Sequence, residues 1–112
     1  MYASRVSFVT PEKIAAAVEI LRRLAAPRRI LLFGSQASGA ARPDSDVDLL
    51  VVEDEIHDRG AELSRLHRAL RPLRLPAEIV LTTEERFRAW RDVPGSLFHA
   101  ASTSGQLLYE AP

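Results

Sequence analysis

The sequence contains no cysteine, and its stretches of apolar residues are short. Without cysteine, neither a disulfide framework nor a thiolate metal site can form. No apolar stretch approaches the roughly 20 residues that a transmembrane helix needs. The beginning of the chain, MYASRVSFVTPEK, also lacks the apolar segment of a secretory signal. We therefore expect a cytoplasmic protein that does not associate with membranes.

The sequence also has no excess of charge of either sign, with 15 basic and 15 acidic residues. A general nucleic-acid binder carries a basic surplus, so direct binding to nucleic acid is not expected. His57, His67 and His99 do not have the spacing of metal ligands and are read as surface or boundary residues. No G-x-S-x-G or G-K-[ST] motif occurs, which argues against a hydrolase triad and excludes a Walker loop.

The length of 112 residues predicts one domain spanning residues 1–112. Apolar runs bounded by glycine, proline and polar residues predict three buried strands, and helical periodicity predicts helices between them. The strands are predicted at Arg29–Phe33, Val47–Val52 and Ala77–Leu81, with a further edge strand at Gln106–Tyr109. Helices are predicted from Pro11 to before Pro27, within Ile56–Leu70, after a capping box beginning at Thr82, and at Ser96–Ser104. This interleaving is typical of a small α/β (α+β) domain.

Two sets of side chains at helical spacing have ordinary explanations. Phe87, Trp90 and Phe98 are expected to pack in the core rather than to form a platform for a nucleobase. Arg65, Arg68 and Arg71 recur every third residue. They are interpreted as a solvated helix face, with contact to an acidic partner as the alternative.

The first candidate functional residues are Asp46 and Asp48, at the start of the second strand. Side chains two positions apart on a strand project from the same face. Two carboxylates placed this way repel each other unless a positive charge lies between them. Mg²⁺ prefers oxygen ligands and keeps room for phosphate oxygens, so it is the natural occupant.

The first strand ends at Gly34-Ser35, and the third begins next to Glu78. A glycine lets the backbone turn sharply beside a ligand, and the amide groups and hydroxyl that follow it can hold phosphate oxygens. If the second and third strands are neighbours, Glu78 lies beside the two aspartates as a third metal ligand or a base. A phosphate holder beside a metal holder is what phosphoryl-type transfer requires.

Gly34-Ser35, ten intervening residues and Asp46-x-Asp48 resemble the hallmark of the polymerase-β nucleotidyltransferase superfamily. The closer match is its branch of minimal nucleotidyltransferases, often encoded beside a HEPN-domain toxin. The resemblance extends through AEIVLTTEE and GQLLYE. It implies a mixed sheet of three to four strands with flanking helices, two Mg²⁺ ions, and ATP as the donor of a nucleotidyl group. In toxin-linked members the acceptor is a tyrosine of the toxin, and the nucleotidyltransferase is the antitoxin.

The sequence departs from the family at three positions. Members commonly have Gly-Ser-Arg-Ala-Arg-Gly, whereas this chain has GSQASG, with Gln36 and Ser38 in place of two arginines. Arg42 remains in the loop as a candidate phosphate contact. The third carboxylate is usually aspartate, and here it is Glu78.

The expected function is therefore transfer of AMP from ATP to a tyrosine of a HEPN-domain partner. Asp46, Asp48 and Glu78 would be catalytic and metal-binding, and Gly34, Ser35 and Arg42 would bind the nucleotide. Two alternatives remain: a binding module that has lost catalysis and neutralises the toxin by contact, or an enzyme that modifies a small molecule.

Overall fold

The structure is a computed structural model that describes residues 9–39 and 45–112. Within these two ranges, ten elements follow one another. They are α1 (Pro11–Ala25), β1 (Arg29–Phe33), α2 (Ser35–Ser38), β2 (Val47–Glu53), α3 (Arg59–Leu70), a 3₁₀ turn (Arg71–Leu73), β3 (Ala77–Thr83), α4 (Glu84–Trp90), α5 (Leu97–Ser104) and β4 (Gln106–Glu110). The expected α/β class, with a small mixed sheet flanked by helices, is confirmed. None of the helices in the described ranges has the length and apolar character of a membrane span.

The four strands form one sheet in the order β3-β2-β1-β4. Strand β2 runs parallel to β3 and antiparallel to β1, and β1 runs antiparallel to β4. Phe33 pairs with Asp48, Val47 with Ala77, and Leu32 with Gln106. The end of β1 and the starts of β2, β3 and β4 therefore lie together at one end of the sheet, called here the Asp48 end.

Helices cover both faces of the sheet, and the alternation along β2 separates the two faces. Val47, Leu49 and Val51 are fully buried in the cluster that also contains residues of α1 and α3. Leu50 and Val52 belong to a second cluster with Phe87 of α4 and Ala101 of α5. Asp48 alternates with Val47 and Leu49, so it lies on the α4/α5 face.

The predicted start of α4 is wrong by one residue. Thr83 caps the helix, with its hydroxyl accepting a hydrogen bond from the amide of Arg86 at 3.2 Å. Thr82 instead lies in β3, where it pairs with Val52 and is only 1% exposed. The parallel ladder with β2 continues through Thr83, and this pairing extends the strand past the threonine that the capping-box pattern selected.

The expectation that all three helical aromatics pack in the core is also wrong for one of them. Phe87 is buried and meets Phe98 edge to face, with ring centroids 6.3 Å apart. Trp90, in contrast, is 44% exposed. Trp90 is the last residue of α4. Helical periodicity predicts which face of a helix is buried, but not how far along the helix other elements pack against that face.

An ion-pair network centred on Arg29 joins β1, α4 and β4 at the end of the sheet opposite to the Asp48 end. The Arg29 guanidinium meets the Glu84 carboxylate through two hydrogen bonds, of 2.9 and 3.1 Å, and also pairs with Glu110. The hydrogen bonds from Arg29 to Glu84 are the largest cause that lowers the pKa of Glu84, to about 2. The far end of the sheet is thus fixed by charge-assisted hydrogen bonds, whereas acidic side chains accumulate at the Asp48 end.

Candidate functional site

The fold brings the three predicted carboxylates to the Asp48 end of the sheet. Asp48 and Glu78 are register partners on the neighbouring parallel strands β2 and β3, so the two strands are neighbours as the role of Glu78 requires. Asp46 immediately precedes β2, two residues from Asp48. Asp46 and Glu78 are exposed, whereas Asp48 is half-buried. The arrangement is a cluster of three carboxylates that reaches from a half-buried position out to solvent.

The electrostatics of Asp48 indicate that these groups influence one another. Burial raises the pKa of the Asp48 carboxyl most strongly, and the negative charges of Glu78 and Asp46 raise it further. The site therefore carries more negative charge than its own surroundings neutralise. A positive species placed among the carboxylates would relieve this repulsion.

Gly34 is in direct contact with this cluster, a proximity that the sequence does not reveal. A Cβ atom built on Gly34 would lie 2.3 Å from Oδ2 of Asp48 and 3.2 Å from its Cγ. The φ angle of Gly34 is +75°, a region that residues with a side chain rarely adopt. The Asp48 carboxylate thus occupies the space that any other residue at position 34 would fill. Gly34 and Asp48 form a single structural unit.

Ser35 begins α2, the helical turn that directly follows Gly34. The Gly34 carbonyl accepts hydrogen bonds from the amides of Ala37 and Ser38, both at 3.1 Å, and these close the turn. The Ser35 hydroxyl is therefore attached to a fixed turn next to the carboxylates. Its role in binding phosphate remains a prediction, as does that of Gly34.

Gln36 has a structural role that the sequence does not reveal. From the sequence it is notable only because family members commonly have arginine at this position. Its side-chain Nε2 donates a hydrogen bond to the carbonyl of Ser45 at 3.1 Å. Ser45 directly precedes Asp46, so this bond joins α2 to the residue before the carboxylates. A contact between residues nine positions apart has no periodic signal in the sequence. Gln36 helps to fix where the carboxylate strand begins.

Arg42 lies outside the described residues, so its phosphate contact stays a prediction from the sequence. The chain has two tyrosines that could accept AMP themselves, and one of them, Tyr2, also lies outside the described residues. The other, Tyr109, is half-buried and packs against the core cluster of the α1/α3 face.

The carboxylates fit a hard divalent cation by their chemistry, although their present arrangement is not a closed ligand set. In residues 9–39 and 45–112, no group of three or more His, Cys, Asp or Glu side chains is arranged to hold a metal ion. The three groups nevertheless supply the oxygen ligands that Mg²⁺ selects, at adjacent strand starts.

A cavity of about 570 Å³ lies close to the site but does not include the carboxylates. It is lined by residues of α1 together with Leu32, Gln36 and Gln106. Leu32 belongs to the core cluster of the α1/α3 face, opposite to the face that carries Asp48. The carboxylates are therefore presented at the surface rather than inside this cavity.

Comparison with known proteins identifies the class of this fold and site. A family model described as a nucleotidyltransferase domain matches residues 14–100, a span that includes Gly34, Ser35, Asp46, Asp48 and Glu78. The chain therefore belongs to the nucleotidyltransferase domain family, whose general activity is nucleotidyl transfer with a nucleoside triphosphate and divalent metals.

A solved structure agrees with this assignment at the level of the fold. It is the crystal structure of a candidate nucleotidyltransferase from Sulfolobus solfataricus, which superposes with a TM-score of 0.58 at 17% identity. The match covers 88% of this chain and 79% of that one. At this identity the likeness establishes the shared fold and no more. No protein of curated function matches the sequence significantly.

Proposed function

We propose that this protein is a Mg²⁺-dependent nucleotidyltransferase that transfers AMP from ATP to a tyrosine hydroxyl of a HEPN-domain partner, and so acts as an antitoxin. The observation that carries the proposal is the unit formed by Gly34 and Asp48, with Glu78 as the register partner of Asp48. In this unit the Gly34-Ser35 motif, which would bind phosphate, meets the Asp46-x-Asp48 motif, which would bind metal.

The proposed reaction breaks a phosphoanhydride bond of ATP and forms a phosphodiester bond to the tyrosine. The tyrosine oxygen attacks the α-phosphorus, the bond from that phosphorus to the bridging oxygen breaks, and pyrophosphate leaves. Asp46, Asp48 and Glu78 would hold Mg²⁺, which when bound neutralises the triphosphate charge and polarises the reacting oxygens. Ser35 and the turn after Gly34 would orient the phosphates. Glu78, which is exposed, would take up the proton of the attacking hydroxyl.

Two features support an acceptor from another chain. The carboxylates lie at the surface, and Tyr109 is packed against the core and so is not free to reach them. The segment from the end of α4 to the start of α5 also exposes three large apolar side chains. Trp90, Val93 and Leu97 are 44%, 38% and 41% exposed. Exposed apolar groups of this size are common where proteins dock on one another.

A second candidate function is neutralisation of the partner by contact alone. The observation that favours it is the hydrogen bond of Gln36 to Ser45, because the side chain is engaged there and does not replace the phosphate contact of an arginine. In that case the carboxylate site would be inherited but not used.

Intact-mass analysis of the protein mixed with its HEPN-domain partner, ATP and Mg²⁺ distinguishes these functions. We expect AMP to be added to the partner by the wild type. We expect no addition with Asp46→Ala or Glu78→Gln, and unchanged addition with Glu85→Gln, a control for the loss of an exposed carboxylate elsewhere. Full neutralisation of the toxin by Asp46→Ala would instead favour binding alone, and label confined to Tyr2 would show self-modification in place of transfer to the partner.

A further inference from the structure

A second pocket lies at the end of the sheet opposite to the Asp48 end. Its volume is about 350 Å³, and it is enclosed by the ends of α1 and β2 and the first turns of α3. Glu53, the last residue of β2, lines it. Glu53 is five residues from Asp48, about 16 Å along the strand at roughly 3.3 Å per residue. The pocket is therefore separate from the nucleotidyl-transfer site.

Glu53 is a buried carboxyl group, and one of its oxygen atoms receives no hydrogen bond from a donor within the described ranges. The residue is only 7% exposed, and its Oε2 atom is buried with no hydrogen-bond partner in the described part of the chain. A buried polar atom that lacks a partner is costly and uncommon in folded proteins. An unpartnered carboxyl oxygen in a pocket wall points to a ligand that donates a hydrogen bond or carries positive charge.

The charges around Glu53 allow it to keep a proton near neutral pH. Burial, followed by a hydrogen bond with Glu62 and the negative charge of Glu62, raises the pKa of Glu53 to about 8, while Arg65 acts in the opposite direction. Arg65 is already committed, with hydrogen bonds to Glu62 at 2.8 and 3.0 Å and to the Leu24 carbonyl at 3.1 Å. A cation bound beside Glu53 and Glu62 would favour the charged form of Glu53, which the present surroundings disfavour.

The remaining groups near the pocket do not supply that cation. On the connecting loop, Asp58 caps α3, and Glu55 meets the exposed His57 at 3.5 Å. The carbonyl end of α1, next to Ala25, carries the negative pole of the helix dipole. Four arginines near these elements have partners elsewhere: Arg22 and Arg23 bind Glu19, Arg28 meets Asp54, and Arg59 donates to the Leu81 carbonyl.

We propose that this pocket binds an organic cation, an ammonium group on an apolar stem, with the carboxylates of Glu53 and Glu62 as its partners. The ammonium group donates hydrogen bonds to both carboxylates, and the proton of the Glu53 carboxyl leaves to solvent, so charge is conserved. The cation would be either a free diamine or a lysine side chain from another protein.

The shape and lining of the pocket favour an organic cation over a metal ion. No three acidic or histidine side chains in the described residues are grouped to hold a metal. The volume is much larger than that of a bare ion. Ala25, Ile56 and Ala61 also contribute apolar surface beside the carboxyl groups. This surface can pack against the methylene groups of an amine.

Titration calorimetry with 1,4-diaminobutane and with Nα-acetyl-lysine amide tests the proposal. We expect at least one of these amines to bind at pH 7 with release of close to one proton, measured by comparing two buffers of different ionisation enthalpy. Glu53→Gln should weaken binding at least tenfold. Glu55→Gln, on the exposed rim, and Asp48→Asn, at the other end of the sheet, should bind like the wild type. The tighter of the two amines identifies the source of the cation.

A thermal melt supplies a second readout, in case Glu53→Gln binds nothing because it folds poorly. Since the pKa of Glu53 is higher in the folded state than its ordinary value of 4.5, stability falls as the pH rises from 4.5 to about 8. Glu53→Gln should lack this fall, and diaminobutane should raise the melting temperature of the wild type most near pH 8. Binding of neither amine, or competition by MgCl₂ equal to that by amine, would overturn the proposal, whatever the fate of the nucleotidyl-transfer site.

Discussion

Replacing Asp48 with asparagine should abolish nucleotidyl transfer and leave the fold intact. Asparagine has nearly the same shape as aspartate but lacks the negative charge that would bind the metal ion at the site. Loss of one charge-stabilising group in phosphoryl-type transfer costs on the order of 10³-fold or more in rate. We therefore expect turnover of the variant to fall to the background level in an assay of pyrophosphate release.

The same variant should be slightly more stable than the wild type when no metal is present. Asp48 lies directly opposite Glu78 on the parallel pair of strands, with Asp46 two residues away. Like charges placed opposite each other across a sheet cost about 0.2–1 kcal/mol. For a domain of this size, that corresponds to a rise in melting temperature of up to about 5 °C. Asp92→Asn, on an exposed turn, is the control and should change neither activity nor stability. An unfolded Asp48→Asn variant would mean that Asp48 is structural.

Replacing Gly34 with alanine should impair both the site and the fold. The new methyl group would lie 2.3 Å from Oδ2 of Asp48, so the carboxylate must move out of its position. The backbone at φ +75° also disfavours a side chain, at a cost of roughly 1–2 kcal/mol. We expect a loss of transfer activity comparable to that of Asp48→Asn, together with a melting temperature lower by several degrees.

Gly95→Ala separates the two effects of this substitution. Gly95 also has a positive φ, +89°, but no atom of the described residues lies within 4 Å of a Cβ built on it. It should therefore lose stability from the backbone strain and retain transfer activity. Equal activity of the Gly34→Ala and Gly95→Ala variants would show that the contact between Gly34 and Asp48 has no catalytic importance.

Much of the fold could be predicted from local patterns. Strand β1 has the predicted bounds, because its apolar run is closed by Gly34. The predictions fail where tertiary pairing decides an element's limits. Strand β2 continues to Glu53, and β3 continues through Thr83, because the two strands pair along that length. Neither residue is apolar, so the composition of the chain gives no sign of this extension.

The sequence predicts which residues lie together at the candidate site, but not the contacts between them. Spacing places Asp46 and Asp48 on one face, and the condition that brings Glu78 beside them is met by the sheet order. The approach of Gly34 to Asp48 and the bond from Gln36 to Ser45 depend on how β1 meets β2 across the loop. Arg65 likewise reads as one of three solvated arginines in the sequence, whereas the fold pairs it with Glu62 beside the buried Glu53.

The central claim is that the carboxylates of Asp46, Asp48 and Glu78 bind a nucleoside triphosphate through a divalent metal. Titration calorimetry of the wild type with ATP, in Mg²⁺ and in EDTA, tests it most directly, with Asp48→Asn as the matched variant. We expect ATP to bind the wild type in Mg²⁺, and binding to be lost both in EDTA and in the variant. Equal affinity in Mg²⁺ and in EDTA, or an unchanged affinity of Asp48→Asn, would contradict the assignment of these carboxylates as a metal-dependent nucleotide site.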